Sequence, residues 1–133
     1  MKKLLAVIAL SVGLFSCAAY AETVYVADCY DGDTCTTSAG EKIRLARIDA
    51  PELRGERARP VEAKQSRDFL RRAVVGRELG IARKNKDRYG RTVAELFIKD
   101  TSLTIGELMV SAGYARIDPR YERQCAFTVH FRE

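Results

Sequence analysis

This chain has almost no material for histidine chemistry. It holds one histidine, His130, close to its last residue, and no tryptophan. A lone imidazole offers no zinc-binding pair, and at that position it supports no histidine-based nucleophilic triad. Its four cysteines, Cys17, Cys29, Cys35 and Cys125, contain no Cys-x-x-Cys pair, which again argues against zinc. Long apolar stretches are missing outside residues 4–15, and that run is too short for a stable membrane span. There is no internal repeat and no low-complexity tract. With 133 residues, the chain has room for one domain and an export segment.

What is present divides at residue 21. Lys2 and Lys3 precede the apolar run, and Ala19-Tyr20-Ala21 supplies small residues where a signal peptidase cuts. We therefore expect residues 1–21 to be a signal peptide and residues 22–133 an exported domain, periplasmic or extracellular. Leu14-Phe15-Ser16-Cys17 also resembles a bacterial lipobox, but Phe15 is bulky for that motif, so a lipid anchor at Cys17 ranks second. Removing Lys2 and Lys3 lowers the formal charge from +5 to +3. The arginines matter more than that total, because a guanidinium fork matches phosphate oxygens bidentately. An exported chain can form disulfides. Cys29 and Cys35 flank a turn at Asp31-Gly32; a bridge between them and two free thiols both fit the spacing.

The pattern predicts mainly β structure with helices. Strands are expected over 23–27, 34–37 and 42–48, beginning at 79–82 ahead of a turn over 86–91, and over 92–98, bounded by turn residues. Residues 53–59 hold Gly55 and three arginines without periodicity and are expected to form a loop. A helix should start near Pro60 and stop at Gly76, with Ala63, Phe69, Leu70, Ala73 and Val74 along one stripe. Arg67, Arg71 and Arg72 are expected on a solvated face. Thr104 and Glu107 form a capping-box pattern for a second helix ending near Ala112, before Gly113. Five short strands with intervening helices suggest a small closed or partly closed barrel.

Three clusters carry candidate chemistry. Asp31-Gly32-Asp33-Thr34 is turn chemistry that could also bind a hard cation. It is not an EF-hand, since Cys35 and Lys42 stand where that loop needs oxygen ligands. Ile43-Arg44-Leu45-Ala46-Arg47-Ile48-Asp49-Ala50-Pro51-Glu52 ends a strand with two exposed carboxylates. Arg44 and Asp49 are five residues apart, on opposite faces of an ideal strand, so they share a site only if the strand bends or ends. Asp87-Arg88-Tyr89-Gly90-Arg91 lies at a hairpin tip. Each cluster alone also fits an ordinary charged loop. Together they supply the parts for phosphodiester hydrolysis: a cation on Asp33 and Asp49, Glu52 to position water or accept its proton, and Arg44 and Arg91 on the phosphate.

These motifs, with Ile105-Gly106-Glu107-Leu108-Met109-Val110 and Gly113-Tyr114-Ala115, resemble the staphylococcal nuclease (thermonuclease) family in order and spacing from about Val24 to Ala115. The resemblance implies a five-stranded OB-fold barrel with helices and a monomeric, calcium-dependent endonuclease. Its substrates would be DNA and RNA, cleaved by water to leave 3′-phosphate ends. It further implies that Asp33, Asp49 and the Ala50 carbonyl ligate Ca²⁺, that Arg44, Glu52 and Arg91 are catalytic, and that Tyr89 and Tyr121 contact the nucleotide. Two features depart from the family: Gly106 replaces a helix-starting Asn, and residues from about 122 do not resemble the expected third helix. A two-helix barrel with that helix missing is therefore expected. The alternatives are a non-catalytic nucleic-acid-binding OB module, or a truncated and unstable family member.

Overall fold

A computed structural model describes residues 22–120. The expected signal peptide, Cys17, Tyr121, Cys125, His130 and the atypical C-terminal stretch lie outside the described residues. Nine elements follow in order: β1 (Thr23–Cys29), β2 (Thr34–Thr37), β3 (Lys42–Leu45), β4 (Ile48–Asp49), α1 (Pro60–Val74), β5 (Glu78–Lys86), β6 (Thr92–Ile98), α2 (Ile105–Ser111) and β7 (Arg116–Ile117). Five strands close into a barrel in the order β1-β2-β3-β6-β5, with β5 returning to β1. The β3–β6 pair is parallel and the others are antiparallel. This is the OB-fold barrel with two helices that the motifs predict.

Alternation along the strands fills the interior. Ile43 and Leu45 from β3, and Ala94 and Leu96 from β6, are buried with Val26, Leu79 and Ile81. α1 adds Leu70 and Val74, and α2 adds Ile105 and Met109. The stripe expected on α1 is present, with Ser66 as an unforeseen buried member whose hydroxyl donates to the Tyr114 carbonyl at 2.7 Å. Thr104 and Glu107 form the reciprocal capping box at the start of α2. Tyr114 stacks on Phe69 with ring centroids 4.5 Å apart, joining α1 to the segment after α2.

Three local expectations change. The strand expected over 42–48 is interrupted: β3 ends at Leu45, and β4 begins at Ile48 and pairs with β7. Arg47 sits between them with φ +67°, in the left-handed region that turns the chain sharply. The strand expected to begin at Leu79 starts one residue earlier, at Glu78, and takes in Lys86 from the expected turn, through a register shift between Arg83 and Asn85. Arg71 is not a freely solvated member of its face. Its Nε donates to the Cys29 carbonyl at 3.0 Å and pairs with Asp28 at 2.8 Å, tying α1 to the β1–β2 hairpin.

Cys29 and Cys35 are directly paired across that hairpin, and both are buried. They form a disulfide, which settles the pairing that spacing left open.

Candidate functional site

The β1–β2 turn is pressed against the molecule rather than waving from it. A Cβ at Gly32 would lie 1.8 Å from Ser66 Oγ and 2.8 Å from Ala50 Cβ. Only a residue without a side chain lets the turn approach α1 and the segment after β4 this closely. Asp31 Oδ1 accepts from the Asp33 N–H at 3.0 Å, and the disulfide closes the base of the hairpin. Asp33 is thereby fixed at the barrel rim and buried.

The Arg47 turn brings Asp49 back beside Arg44. Arg44 Nη1 donates to the carbonyls of Leu45 at 2.6 Å and Ile48 at 2.9 Å, holding the bend shut. Its Nη2 lies 3.4 Å from Asp33 Oδ2 and 3.7 Å from Asp49 Oδ1. One guanidinium therefore faces both carboxylates, as required for a shared site. The Ala50 N–H donates to Asp33 Oδ2 at 2.9 Å, and Arg116 from β7 reaches Asp49 Oδ2 at 3.0 Å.

The hairpin between β5 and β6 supplies the other wall. Asp87 accepts from the backbone N–H groups of Tyr89 and Arg91, and its Oδ2 holds Arg91 Nε at 2.7 Å. Arg91 Nη1 then donates to Thr34 Oγ1 at 3.2 Å. Thr34 Oγ1 itself donates to Asp33 Oδ1 at 3.2 Å, so Thr34 joins the two walls. Tyr89 is 68% exposed. Arg88 and Arg91 sit 4.8 and 5.4 Å from its ring centroid, respectively. A cleft of about 560 Å³ runs between these elements, lined by Arg44, Tyr89, Arg91, Asp118 and Arg120 among others.

Electrostatics mark Asp33 as unusual. Burial and then the neighbouring Asp31 charge push its carboxyl up to about 7, against the lowering effects of Arg44 and the Ala50 N–H. A carboxyl held this high has too little positive charge around it to ionise readily. Asp87 is the opposite case: burial raises it, but its hydrogen bonds from Arg91 and Tyr89 bring it below the usual range.

Of the residues expected in one site, the fold gathers Asp33, Arg44, Asp49, Ala50 and Arg91, with Tyr89 at the rim of the cleft. Glu52 lies two residues beyond Ala50 in an exposed loop. Its carboxylate makes no hydrogen bond or ion pair with a described residue. Thr34, Asp87, Arg116 and Asp118 were not singled out as site residues by the sequence. Asp87 had a readable signal, since Asp followed four residues later by Arg across a Gly turn favours that hydrogen bond. Arg116 and Asp118 had none, because they reach the site only through β7.

Barrel, helices and charged rim together define a staphylococcal-nuclease-like OB-fold domain. Residues 42–131 match the family described as Staphylococcal nuclease homologue, and the chain belongs to that family. The matched stretch begins at β3, so the Asp33 turn enters the site by geometry rather than by that match. A curated protein of Escherichia coli, named "uncharacterized endonuclease", is 32% identical over 94 residues, covering 68% of this chain and 58% of its own length. A second of the same name, from Haemophilus influenzae, is 34% identical over 106 residues, covering 77% of this chain and 56% of its own. The chain thus spans somewhat over half the length of these relatives.

Proposed function

We propose that this protein is an exported nuclease that hydrolyses phosphodiester bonds of DNA and RNA with the help of Ca²⁺, leaving 3′-phosphate ends. The carrying observation is that Arg44 faces both Asp33 and Asp49 beside a cleft walled by a second arginine, Arg91. Family membership and the endonuclease names of the relatives support the same reading.

The donor set suits a hard cation. Among the described residues no group of three or more His, Cys, Asp or Glu side chains converges. A hard cation on Asp33 and Asp49 would complete its oxygen shell with the Ala50 carbonyl and water. The raised Asp33 carboxyl fits this, since a cation is the positive charge its surroundings lack. When bound, the cation would offset charge on a phosphate oxygen and orient water.

The protein's own groups divide the remaining work. Glu52, untethered and exposed, accepts the proton of the attacking water. Arg44 and Arg91 hold the phosphate and stabilise the charge that develops on it. Asp87 keeps the Arg91 fork extended toward Thr34. Tyr89, steadied between Arg88 and Arg91, offers its ring to the nucleotide, and Tyr121 is the second tyrosine we assign to that role. No step requires a covalent nucleophile.

The Cys29–Cys35 disulfide supports an oxidising compartment for residues 22–133, and with it removal of residues 1–21 as a signal peptide. Among the described residues no helix is long and apolar enough to cross a membrane.

Incubating plasmid DNA and a structured RNA with the protein, in Ca²⁺ and then in chelator, tests the proposal. Both substrates should disappear in Ca²⁺ only, and the product ends should accept no label at their 3′ side until dephosphorylated. Salt-sensitive binding without any cleavage would instead identify a non-catalytic OB module.

A further inference from the structure

A second cleft, of about 640 Å³, lies against the β1–β2 hairpin. Its walls are the hairpin, the loop after Glu52, and α1. Four cationic side chains line it, Arg54, Lys64, Arg67 and Arg71, against one acid, Asp28. Arg71 is engaged with Asp28, and Arg67 pairs with Asp68 at 3.0 Å. Arg54 and Lys64 are exposed and have no ion pair with a described residue. Tyr30 lies in the same wall, 58% exposed. The hairpin needs no exposed aromatic at that position, since its core pair is Cys29 and Cys35.

We infer that this cleft is a track for a single-stranded stretch of the nucleic acid being cut, with Arg54 and Lys64 on its phosphates and Tyr30 stacked on a base. The inference rests on the nuclease reading and extends it. Free cations beside an exposed ring are what sequence-tolerant single-strand binding uses: charge for the backbone and a π-face for the base. The track also joins the candidate site through short connections. Arg54 is four residues from Ala50, and Tyr30 three from Asp33, so the chain between them extends at most about 14 and 11 Å. A strand leaving the cation site therefore reaches Tyr30 and Arg54 within a few nucleotides. The two clefts share no lining residue, and we assign them to the two directions of one strand leaving the site.

An Arg54→Ala/Lys64→Ala double variant and a Tyr30→Ala variant test this, each first shown by thermal melting to be folded. Two substrates are compared in Ca²⁺: a labelled oligothymidylate long enough to fill both clefts, and a nitrophenyl phosphodiester of a single nucleotide. Both variants should raise KM for the oligonucleotide about tenfold and leave turnover of the single-nucleotide ester unchanged. In chelator, the slope of log affinity for the oligonucleotide against log salt should shrink by about 1.4 in the double variant, about 0.7 per lost phosphate contact. Unchanged KM and slope would overturn the track, as would equal losses on both substrates. If the wild type cuts neither substrate, the nuclease reading fails, and the binding slope still decides the track.

Discussion

Two carboxylates of this barrel are shifted in opposite directions, and the contrast separates structure from function. Glu41, between β2 and β3, is held down to about 2, chiefly by its hydrogen bond from Arg83. Arg83 clasps both of its oxygens, at 2.7 and 2.9 Å, and Thr92 donates to it at 2.8 Å. Asp33, at the turn between β1 and β2, is pushed up to about 7 by burial and by Asp31. The nearest guanidinium nitrogen stands 3.4 Å away and is shared with Asp49. The fold itself completes Glu41. Asp33 it only partly completes, and positions it beside a cleft. Incomplete charge compensation at a rigid position is the signature we assign to a cation site.

Four perturbations sharpen this contrast. The largest effect is expected from Arg44→Ala. It should lower kcat about 10³-fold through loss of charge stabilisation. It should also lower stability by about 3 kcal/mol, because the buried Asp33 loses its cationic partner and two carbonyls lose their donor, while Asp49 keeps Arg116. Steady-state kinetics with a denaturant melt measures both. Glu52→Gln should lower kcat about 10²-fold with no change in the melt, since the side chain is exposed and untethered. A large shift in its melt would show that Glu52 has a structural partner.

The third perturbation is pH. A proton and a cation compete for Asp33, so Ca²⁺ affinity should fall about fivefold from pH 7 to pH 6 and level off above about 8, as titration calorimetry can follow. The cation-free stability should show the opposite trend for this group. Its folded value is raised, so its contribution is full below about 4 and is lost as pH rises through about 7. Glu41 behaves in the other sense: its folded value is lowered, so its contribution is present above about 4.5 and is lost as pH falls toward 2. The smallest effect is expected from Glu41→Gln, about 1 kcal/mol of stability with kcat unchanged, because the pair is only partly buried and solvent screens it.

Much of this was legible in the sequence, for identifiable reasons. Strand alternation exposed β6 and the start of β5. The Thr104–Glu107 spacing announced α2, and Pro60 with Gly76 bracketed α1. The Asp33, Asp49 and Arg91 clusters were visible because acids and arginines beside glycine and proline stand out from the apolar pattern. The need for a bend between Arg44 and Asp49 was legible, but its place was not, because Arg47 adopts a left-handed conformation that its side chain does not advertise. Nor was the need for Gly32, which depends on Ser66 arriving from α1. Arg116 and Asp118 were hidden for the same reason: they enter the site through long-range pairing of β4 with β7.

Calcium titration of the intact chain and of Asp33→Asn, with plasmid cleavage followed in the same samples, tests the central claim most directly. The wild type should bind one Ca²⁺ and cut. The variant should lose both binding and cutting, yet melt no lower than the wild type without Ca²⁺, since a poorly compensated buried charge has been removed. A variant that still binds Ca²⁺ and cuts, or a wild type that cuts equally well in chelator, would contradict it.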